Sequence, residues 1–251
     1  MLDISLSTFN TISLDKLETS GLFQKRLDRK YVIPKSMISK LLEYCRDYYD
    51  ILTIDDSKIF DYQTKYFDTP DFSFYHQHQS GRAARKKLRE RTYMNSGERY
   101  LEIKCRTNKG VTVKHRTVVS GDMDLSEFIE KHSGFSTDQL SSTLVTRYKR
   151  ITLFHKTKIE KVTLDIDLTY LRGDQIVSYP NIVMVEIKVP SIHEGQLFHF
   201  MKNQGIRKGS LSKYCLGMIS LDQCIKHNRF KRIYTRLVNL NNYGFSGFLH
   251  Q

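Results

Sequence analysis

Cationic residues alternate with other residues in two runs between Lys87 and Arg106, a stretch that reads KLRERTYMNSGERYLEIKCR. Lys87, Arg89 and Arg91 share one face of a strand, and Lys104 and Arg106 share one face beyond the N-S-G turn. A period of two on either side of such a turn indicates a β-hairpin. Arginine binds pairs of phosphate oxygens and lysine adds point charge, so the chemistry available here is recognition of a phosphate-rich anion.

The same separation of ionic and apolar faces recurs in three further segments. Its ionic members are Asp28 and Lys30 in RLDRKYVIP, Lys161, Asp165 and Asp167 in KVTLDIDL, and Glu186 and Lys188 in VEIK. The commoner meaning is an antiparallel sheet with one face on the core and the other in water. However, like charges about 6.7 Å apart repel by roughly 2.5 kcal/mol at an effective dielectric near 20. Interspersed acids relieve part of that repulsion, and a bound polyanion would relieve the rest.

These faces predict an α+β fold. The antiparallel sheet is expected to close into a β-barrel tunnel with its charges inside, and amphipathic helices are expected to pack on the outside. A basic tunnel of this kind suits a linear triphosphate, since basic side chains grip its oxygens while acids hold a divalent metal ion.

The composition indicates a folded protein that binds anions. The 251 residues are 39% hydrophobic and carry a formal net charge of +13. Residues 82–116 hold 12 Lys and Arg against 3 Glu, so they supply nine of those thirteen charges. We predict one domain over residues 1–251 and reduced cysteines, because the four cysteines form no C-x-x-C pair. The sequence has no recognisable signal peptide and no apolar run long enough to cross a bilayer, which predicts a soluble, cytoplasmic protein.

Periodicity and turn residues predict the order of the elements. Strands are predicted in RLDRKYVIP, IFDYQTKYFDTPD, the hairpin with GVTVKHRTVVS beside it, KVTLDIDLTYLRGDQIVSYP and NIVMVEIKVP. Helices are predicted in SLDKLE, residues 36–49, DLSEFIEKHSG, HEGQLFHFMKNQG and SLSKYCLGMISLDQCIKH. Residues 137–154 are expected to begin as a helix and continue as a strand, and His76 and His78 to share a face of a strand. The basic, aromatic C-terminal segment has no predicted element.

The chain resembles the catalytic domain of the VTC polyphosphate polymerases, bacterial stand-alone members above all, within the triphosphate tunnel metalloenzyme (CYTH-like) superfamily. The resemblance runs from RLDRKY to SLSKY and is carried by RLDRKYVIP, YFDTPD, GRAARKKLRERTY, LEIKCRTNKGVTVKHR, RYKR, TLDIDL, VEIK and SLSKY. Each stretch alone is a weak signal, but their shared order and spacing are specific. The resemblance implies a tunnel of antiparallel strands whose basic residues bind a nucleoside triphosphate and the growing chain.

Position by position, the resemblance also implies a site. The phosphate ligands would be Lys30, Arg89, Arg91, Lys104, Lys114, Arg150, Ser212 and Lys213, with Arg89, Arg91, Lys104, Arg150 and Lys213 assigned to catalysis. The same ionic faces add Lys87, Arg116, Lys161 and Lys188 to substrate binding. Glu186 would hold Mn²⁺ or Mg²⁺, and strand parity adds Glu102, Asp165 and Asp167 as assisting acids.

Two positions depart from the family's pattern. Ser210 stands where a lysine is common, so Arg207 or Lys208 is expected to replace it. Lys161 stands where an arginine is common, which weakens bidentate contact. The SPX and membrane segments of the eukaryotic complexes have no counterpart in this sequence, which puts coupled synthesis and translocation in doubt.

The predicted function is a metal-dependent polyphosphate polymerase that transfers the γ-phosphoryl group of ATP to a polyphosphate chain. One alternative is a triphosphatase or polyphosphatase with the same cage, in which an acid such as Glu102 orients water. A second is a non-catalytic module that binds polyanions or nucleic acid, since TYMNSGERY and RFKRIYTR mix aromatic with basic residues. Same-face acids weigh against nucleic acid. The expected partners are ATP and inorganic polyphosphate or triphosphate, and no G-x-x-x-x-G-K-[ST] motif supports a P-loop.

Overall fold

The computed structural model describes residues 6–14, 27–190 and 195–244. Its strands are β1 Thr11–Ile12, β2 Leu27–Pro34, β3 Tyr49–Leu52, β4 Phe60–Asp68, β5 Arg85–Tyr93, β6 Arg99–Arg106, β7 Thr112–Val118, β8 Ser141–His155, β9 Lys161–Arg172, β10 Gln175–Tyr179 and β11 Ile182–Val189. Its helices are α1 Ile38–Arg46, α2 Ser73–Gln79, α3 Ser126–Ser133, α4 Gln196–Asn203, α5 Lys213–Leu221 and α6 Lys231–Tyr243, with 3₁₀ turns at Lys35–Met37 and Thr137–Gln139.

One large sheet contains all of these strands. Its main path runs β2-β11-β9-β8-β4-β5-β6-β7, and each neighbouring pair on that path is antiparallel. β10 pairs with β9 and β3 with β8, also antiparallel, while the short β1 runs parallel to β3. The predicted α+β architecture with a large antiparallel sheet is therefore confirmed.

The hairpin aligns its charged residues as the sequence predicted. Arg89 of β5 lies opposite Glu102 of β6, and Lys87 lies opposite Lys104. β7 extends the pattern, because Lys114 lies opposite Lys104 on the other side. Side chains directly opposite each other project from the same face of a sheet. The ionic residues of three successive strands thus share one face, which we call the inner face.

Helices cover the opposite, outer face. Ile33 of β2 and Val185 of β11 pack there with Leu42 of α1 in a buried cluster. Ile103, on the outer side of β6, packs with Phe128 of α3 in another. These helices bury their apolar stripe against the sheet and leave the polar side in water, as amphipathic helices do.

Helix α5 packs against the inner face. Val32 and Met184 share strand parity with Lys30 and Glu186, and they belong to the buried cluster that contains Leu216 of α5. The inner face is therefore apolar at the end filled by α5 and ionic at the other end.

A bulge in β9 marks the change between these two halves. Asp167 has a φ of 52°, and the pairing of β9 with β8 shifts register between Arg147 and Lys149. One extra residue in a strand turns every later side chain to the other face. As a result Leu168 joins the apolar cluster around α5. The strand parity predicted for Asp167 together with Asp165 is wrong for this reason.

The segment before α5 bridges β2, at one end of the sheet path, and β5, in its other half. The backbone N–H of Gly209 donates to the carbonyl of Lys30 at the free edge of β2, at 2.8 Å. Lys87 Nζ of β5 donates to Ser212 Oγ at 3.1 Å. Within the described ranges β7 and β2 share no ladder hydrogen bonds, so the sheet does not close into the predicted barrel by strand pairing, and this segment bridges β2 and β5 across the inner face.

Other expectations need correction. Residues 137–154 form a 3₁₀ turn followed directly by β8, because the alternating, β-branched run after Leu140 favours a strand over a helix. His76 and His78 lie in α2, not in a strand. The basic C-terminal segment forms α6, whose Leu237 and Leu240 are buried. The helix predicted in SLDKLE falls mostly outside the described residues, and the single-domain assignment stays a prediction. All four cysteines are free thiols.

Candidate functional site

A cavity of about 120 Å³ lies at the ionic end of the inner face. Eight cationic side chains line it, with one carboxylate, two tyrosines and a serine: Lys30, Lys87, Arg89, Arg91, Lys104, Arg150, Lys188 and Lys213, then Glu186, Tyr66, Tyr148 and Ser212. They come from β2, β4, β5, β6, β8, β11 and the start of α5, so both halves of the sheet path face one space. We call this the ionic cavity.

Glu102 holds the cations of the hairpin in place. Its side chain is 1% exposed and accepts from Arg89 Nε at 2.7 Å and Nη2 at 2.6 Å. Lys114 also forms an ion pair with it, and Arg116 Nε lies 3.9 Å away. Burial alone would raise the pKa of Glu102, but Arg89, Arg91 and Lys114 hold it well below its ordinary value. The carboxylate is therefore ionised and fully engaged.

Asp165 holds one cation of β8 and one of α5 in the same way. Arg150 binds it through two bonds, Nε to Oδ1 at 2.5 Å and Nη2 to Oδ2 at 2.8 Å, and Lys213 also bonds Oδ2. Burial opposes its ionisation, yet Arg150 and Lys213 lower the pKa of Asp165 to about 2. A paired fork of this kind fixes both the position and the plane of the guanidinium.

Glu186 is held less tightly. Its oxygens lie 3.4 Å from Lys30 Nζ and 3.5 Å from Lys188 Nζ, and its side chain is 19% exposed. Burial alone would raise the pKa of Glu186, but Lys30 and Lys188 hold it well below its ordinary range. Glu186 is the carboxylate that remains open to the ionic cavity.

Three cations around the cavity have no carboxylate within ion-pair distance in the described part of the chain: Lys87, Lys104 and Arg91. The positive charge of Arg89, followed by burial, lowers the pKa of Lys104 to about 6, and burial lowers that of Lys87 to about 8. Arg91 Nε is buried without a hydrogen-bond partner in the described residues. A bound anion would accept hydrogen bonds from the unsatisfied buried donors and would offset the repulsion between the cations.

A row of tyrosines leads away from the cavity, and this row was not predicted from the sequence. Tyr148 stacks on Tyr62 at 5.4 Å, Tyr62 meets Tyr93 at 5.1 Å, and Tyr93 meets Tyr100 at 5.6 Å, all between ring centroids. We call these four the aromatic row. Strand parity does place Tyr93 with Arg91 and Tyr100 with Lys104 on the ionic faces, but it does not show that the rings meet or that Tyr62 and Tyr148 continue the row.

Arginines interleave with the aromatic row. Arg150 lies 5.0 Å from the ring centroid of Tyr62, Arg91 lies 5.6 Å from the same centroid, and Arg116 lies 3.5 Å from that of Tyr100. Such contacts hold guanidinium groups flat and in place. The row ends at Arg116, whose side chain is 39% exposed, so it reaches from the cavity wall to solvent.

The YFDTPD stretch positions α5 and hence Lys213. Asp68 is buried, and its carboxylate accepts from the backbone N–H groups of Phe74 and Tyr75 at the start of α2 and from the hydroxyl of Tyr214 at 2.5 Å. α5 also lies very near the sheet: a Cβ at Gly217 would lie 2.6 Å from side chains of β8 and β9. These contacts seat the first turn of α5 over the cavity.

Most of the predicted ligands come together, but three do not line the cavity. Lys114 and Arg116 lie next to the buried carboxylate of Glu102 instead. Lys161 lies beside Phe154, with its Nζ 4.8 Å from the ring centroid. Neither Arg207 nor Lys208 lines the cavity, and both are exposed. Neither therefore takes the place of the lysine that is common in the family where this chain has Ser210.

Of the four acids predicted to hold a metal ion, only Glu186 lines the cavity. Glu102 and Asp165 are engaged by cations, and Asp167 bonds Lys35 at 2.6 Å. Among the described residues no three His, Cys, Asp or Glu side chains form a metal-binding group. Mg²⁺-like ions are often held by one or two carboxylates together with substrate phosphates. The donor set fits an ion held by Glu186 and phosphate oxygens, and does not fit one held by all four acids.

Comparisons with known proteins agree with this architecture. A family model for the VTC domain matches residues 25–222. A solved structure from Bacillus halodurans, described as a candidate adenylate cyclase, aligns with a TM-score of 0.51 at 13% identity, covering 84% of this chain and 97% of that chain. A Hippeastrum protein, described as a candidate adenylyl cyclase with a dominant triphosphatase activity, aligns with a TM-score of 0.48 at 12% identity, covering 77% and 96%. No curated protein matches the sequence.

At such low identity the Bacillus structure shows a shared fold and nothing about substrate. Among the described residues no helix is long and apolar enough to cross a membrane.

Proposed function

This chain belongs to the VTC domain family, and from that premise we propose that it is a metal-dependent polyphosphate polymerase that uses ATP. Family membership and the tunnel fold support an activity on triphosphate or polyphosphate. The observation that carries the proposal is the ionic cavity, where eight cations face one carboxylate in about 120 Å³. A space so small and so positive suits a chain of phosphates.

The protein's part in phosphoryl transfer is positioning and charge neutralisation. Arg150 and Lys213, held by Asp165, and Arg89, held by Glu102, are fixed before substrate binds. They would bind the γ-phosphate oxygens without reorganising. A terminal phosphate oxygen of the acceptor chain is already ionised, so the attack needs no general base.

Glu186 is the residue that would hold a divalent ion against the phosphate oxygens. When bound, such an ion supplies further neutralisation of the charge on the transferring group. The residues around Glu186, Lys30 and Lys188, would keep its carboxylate ionised and directed into the cavity.

The aromatic row indicates how the nucleotide would be oriented in the site. Its rings begin at Tyr148 in the cavity wall and end beside the exposed Arg116. A nucleobase can stack on such rings while its phosphates reach the cations beyond them. ATP would then lie with its base toward Tyr100 and its γ-phosphate deepest.

The same geometry disfavours the alternatives. A hydrolase needs a group that orients water, but Glu102 is 1% exposed and engaged by Arg89 and Lys114. An open nucleic-acid surface needs exposed cations, whereas Arg89 and Arg150 are only 16% and 11% exposed. These observations favour polymer synthesis in our proposal.

Incubation of the purified protein with ATP and Mn²⁺ or Mg²⁺ tests the proposal. Gel electrophoresis should show long polyphosphate, and chelation of the metal should abolish it. A Lys30→Met variant should lose most of the product, while Lys40→Met, on the exposed side of α1, should not. Release of orthophosphate from tripolyphosphate without chain growth would instead identify a hydrolase.

A further inference from the structure

The C-terminal part of the chain carries almost only positive charge. Residues 195–251 contain nine Lys and Arg and a single acid, Asp222. That acid is half-buried and accepts from the backbone N–H of Cys224. Of the nine cations only Lys213 lines the ionic cavity. The proposed function therefore leaves the other cations of this part without a role.

Several of these cations come together beside the free edge of β2. Arg236, in the second turn of α6, donates through Nη1 to the carbonyl of Arg207 at 3.1 Å and through Nη2 to the carbonyl of Val32 in β2 at 3.4 Å. Ile233 of α6 lies so near Gly209 that an added Cβ would be 2.8 Å from its Cδ1. The first two turns of α6 thus lie against residues 207–209. We call five residues there the basic patch: Arg207, Lys208, Lys231, Arg232 and Arg236.

The charges of the basic patch are not balanced by nearby acids. Arg207, Lys208, Lys231 and Arg232 are exposed, and no carboxylate in the described part of the chain lies within ion-pair distance of these four. Burial, followed by the charges of Arg232 and Arg207, lowers the pKa of Arg236. The first turn of α6 contains no acid, although the positive end of the helix dipole disfavours cations there. An anionic partner would offset this repulsion.

One side of α6 leads from these cations to an exposed aromatic residue. Arg232, Arg236 and Tyr243 are spaced i, i+4 and i+11, so they lie along the same side of the helix. Tyr243 is 67% exposed, and the sequence beyond it reads GFSGFLHQ, with three apolar residues and no acid. Cations followed by exposed aromatic and apolar residues are typical of segments that lie on anionic lipid surfaces.

We propose that the basic patch docks the protein on an anionic phospholipid surface, with its cations against the headgroup phosphates and Tyr243 at the boundary with the acyl chains. Nucleic acid is the weaker candidate, because stacking of successive bases needs aromatic rings among the cations. Tyr234 lies between them in the sequence but packs on His227, at 6.1 Å between ring centroids. The inference does not rest on the proposed function, since the patch lines neither cavity.

The consequence is binding to vesicles that depends on lipid charge and on salt. Each cation close to an anionic membrane strengthens binding by about fivefold. Loss of three cations should therefore weaken binding by about a hundredfold. Binding should also fall as salt is raised, because the attraction acts only within the Debye length.

The test is co-sedimentation with vesicles of equal parts phosphatidylglycerol and phosphatidylcholine, and with vesicles of phosphatidylcholine alone. Wild type is compared with the triple variant Arg207→Gln, Lys208→Gln and Arg232→Gln. The control, Lys40→Gln with Lys109→Gln and Lys131→Gln, removes the same charge from exposed positions on α1, the turn before β7, and α3. We expect wild type and the control to bind the anionic vesicles, and the triple variant to lose about a hundredfold in affinity.

Two single variants support the comparison. Arg232→Gln should lose about fivefold, and it keeps the test valid if urea unfolding shows that the triple variant is destabilised. Tyr243→Ser should weaken binding by a factor that changes little with salt, because it removes an apolar contact and no charge.

Each contrary outcome overturns the inference for a different reason. Equal binding of wild type and the triple variant would show that the patch does not contact lipid. Equal losses in the triple variant and the control would mean that net charge alone attracts the protein. If added tripolyphosphate displaces wild type from the vesicles, the ionic cavity holds the headgroups instead. If wild type ignores the vesicles but binds single-stranded RNA through the patch, the surface recognises nucleic acid.

Discussion

The cations of the ionic cavity fall into two groups that differ in what holds them. Arg89, Arg150 and Lys213 are held by buried carboxylates at ion-pair distance. Lys87, Lys104 and Arg91 line the same cavity without such a partner in the described residues. The difference separates two tasks: the held group keeps its geometry when the cavity is empty, and the unheld group provides donors and positive charge that a bound anion would complete. Removing a member of each group should therefore affect different properties.

The largest effect is expected from the carboxylate that holds the first group. Asp165→Asn leaves Arg150 and Lys213 buried without a counter-charge, and breaking a buried pair in this way costs about 3–5 kcal/mol. Urea unfolding measures the loss of free energy. Because the folded pKa of Asp165 is about 2 and the ordinary value is 3.8, its contribution is present above pH 3.8 and is lost as the pH falls toward 2.

Asp122→Asn is the matched control, since Asp122 is exposed in the turn before α3. It should leave the free energy of unfolding unchanged. Equal stability of Asp165→Asn and wild type would show that Asp165 does not hold the two cations in place.

The next effect concerns activity and a member of the second group. Arg91→Met removes an unheld cation and should lower kcat by about 10²–10³-fold, the usual cost of one preorganised donor. Its stability should change little, because no carboxylate loses a bonded partner and the relief of repulsion among the cations offsets the lost attraction between Arg91 and Glu102. Steady-state synthesis of polyphosphate from ATP gives kcat, and unfolding gives stability.

Arg99→Met provides the comparison, because Arg99 is on the outer side of the same hairpin and 40% exposed. A normal kcat for Arg91→Met, or an equal loss for Arg99→Met, would remove Arg91 from the site.

Much of this arrangement could be read from the sequence because strand alternation carries it. The period of two in KLRERTY and LEIKCR placed Arg89 and Lys104 on one face, and the register confirms it. Order and spacing of weak motifs then located Arg150 and Lys213. Parity identified the face for the cavity residues of β2, β5, β6 and β11, whereas those of β4 and β8 were not found by parity.

The predictions failed where the alternation of side chains along a strand is interrupted or does not determine a contact. One extra residue at Asp167 reverses the alternation of side chains in the later part of β9. Aspartate adopts a positive φ more readily than most residues, but this is uncommon for any residue except glycine, so an aspartate alone does not mark a bulge. The sequence also could not show that Glu102 and Asp165 hold cations and so are poorly placed for a metal. Strand parity gives the face of each residue but not the partner that its side chain bonds, even where that partner lies on the next strand, as Arg89 and Arg150 do.

A smaller effect should reveal the repulsion within the second group. Lys104 has a folded pKa of about 6 and an ordinary value of 10.5, so between these pH values the unfolded chain binds one more proton. Stability then rises with pH across that window, and the cost is fully present below about pH 6. Lys104→Met removes the cost and should stabilise the empty protein at neutral pH, by on the order of 1 kcal/mol or more.

The same variant should bind tripolyphosphate more weakly, so stability and affinity move in opposite directions. Unfolding at several pH values and calorimetric titration measure the two. A destabilised Lys104→Met would mean that Lys104 makes a favourable contact in the empty cavity, contrary to the comparison drawn above.

The smallest effect is a proton count. Near neutral pH, Lys104 in the empty cavity is mostly neutral, because Arg89 and burial lower its pKa to about 6. A bound polyanion offsets the charge of Arg89 and raises that pKa, so binding should draw in up to about one proton from solution. Lys87, with a pKa of about 8, is already largely charged and adds less. Calorimetric titration of tripolyphosphate in two buffers of different ionisation enthalpy measures the uptake, and Lys104→Met should reduce it. Uptake that is absent in wild type, or unchanged in the variant, would mean that Lys104 is already charged in the empty cavity, contrary to the repulsion inferred for it.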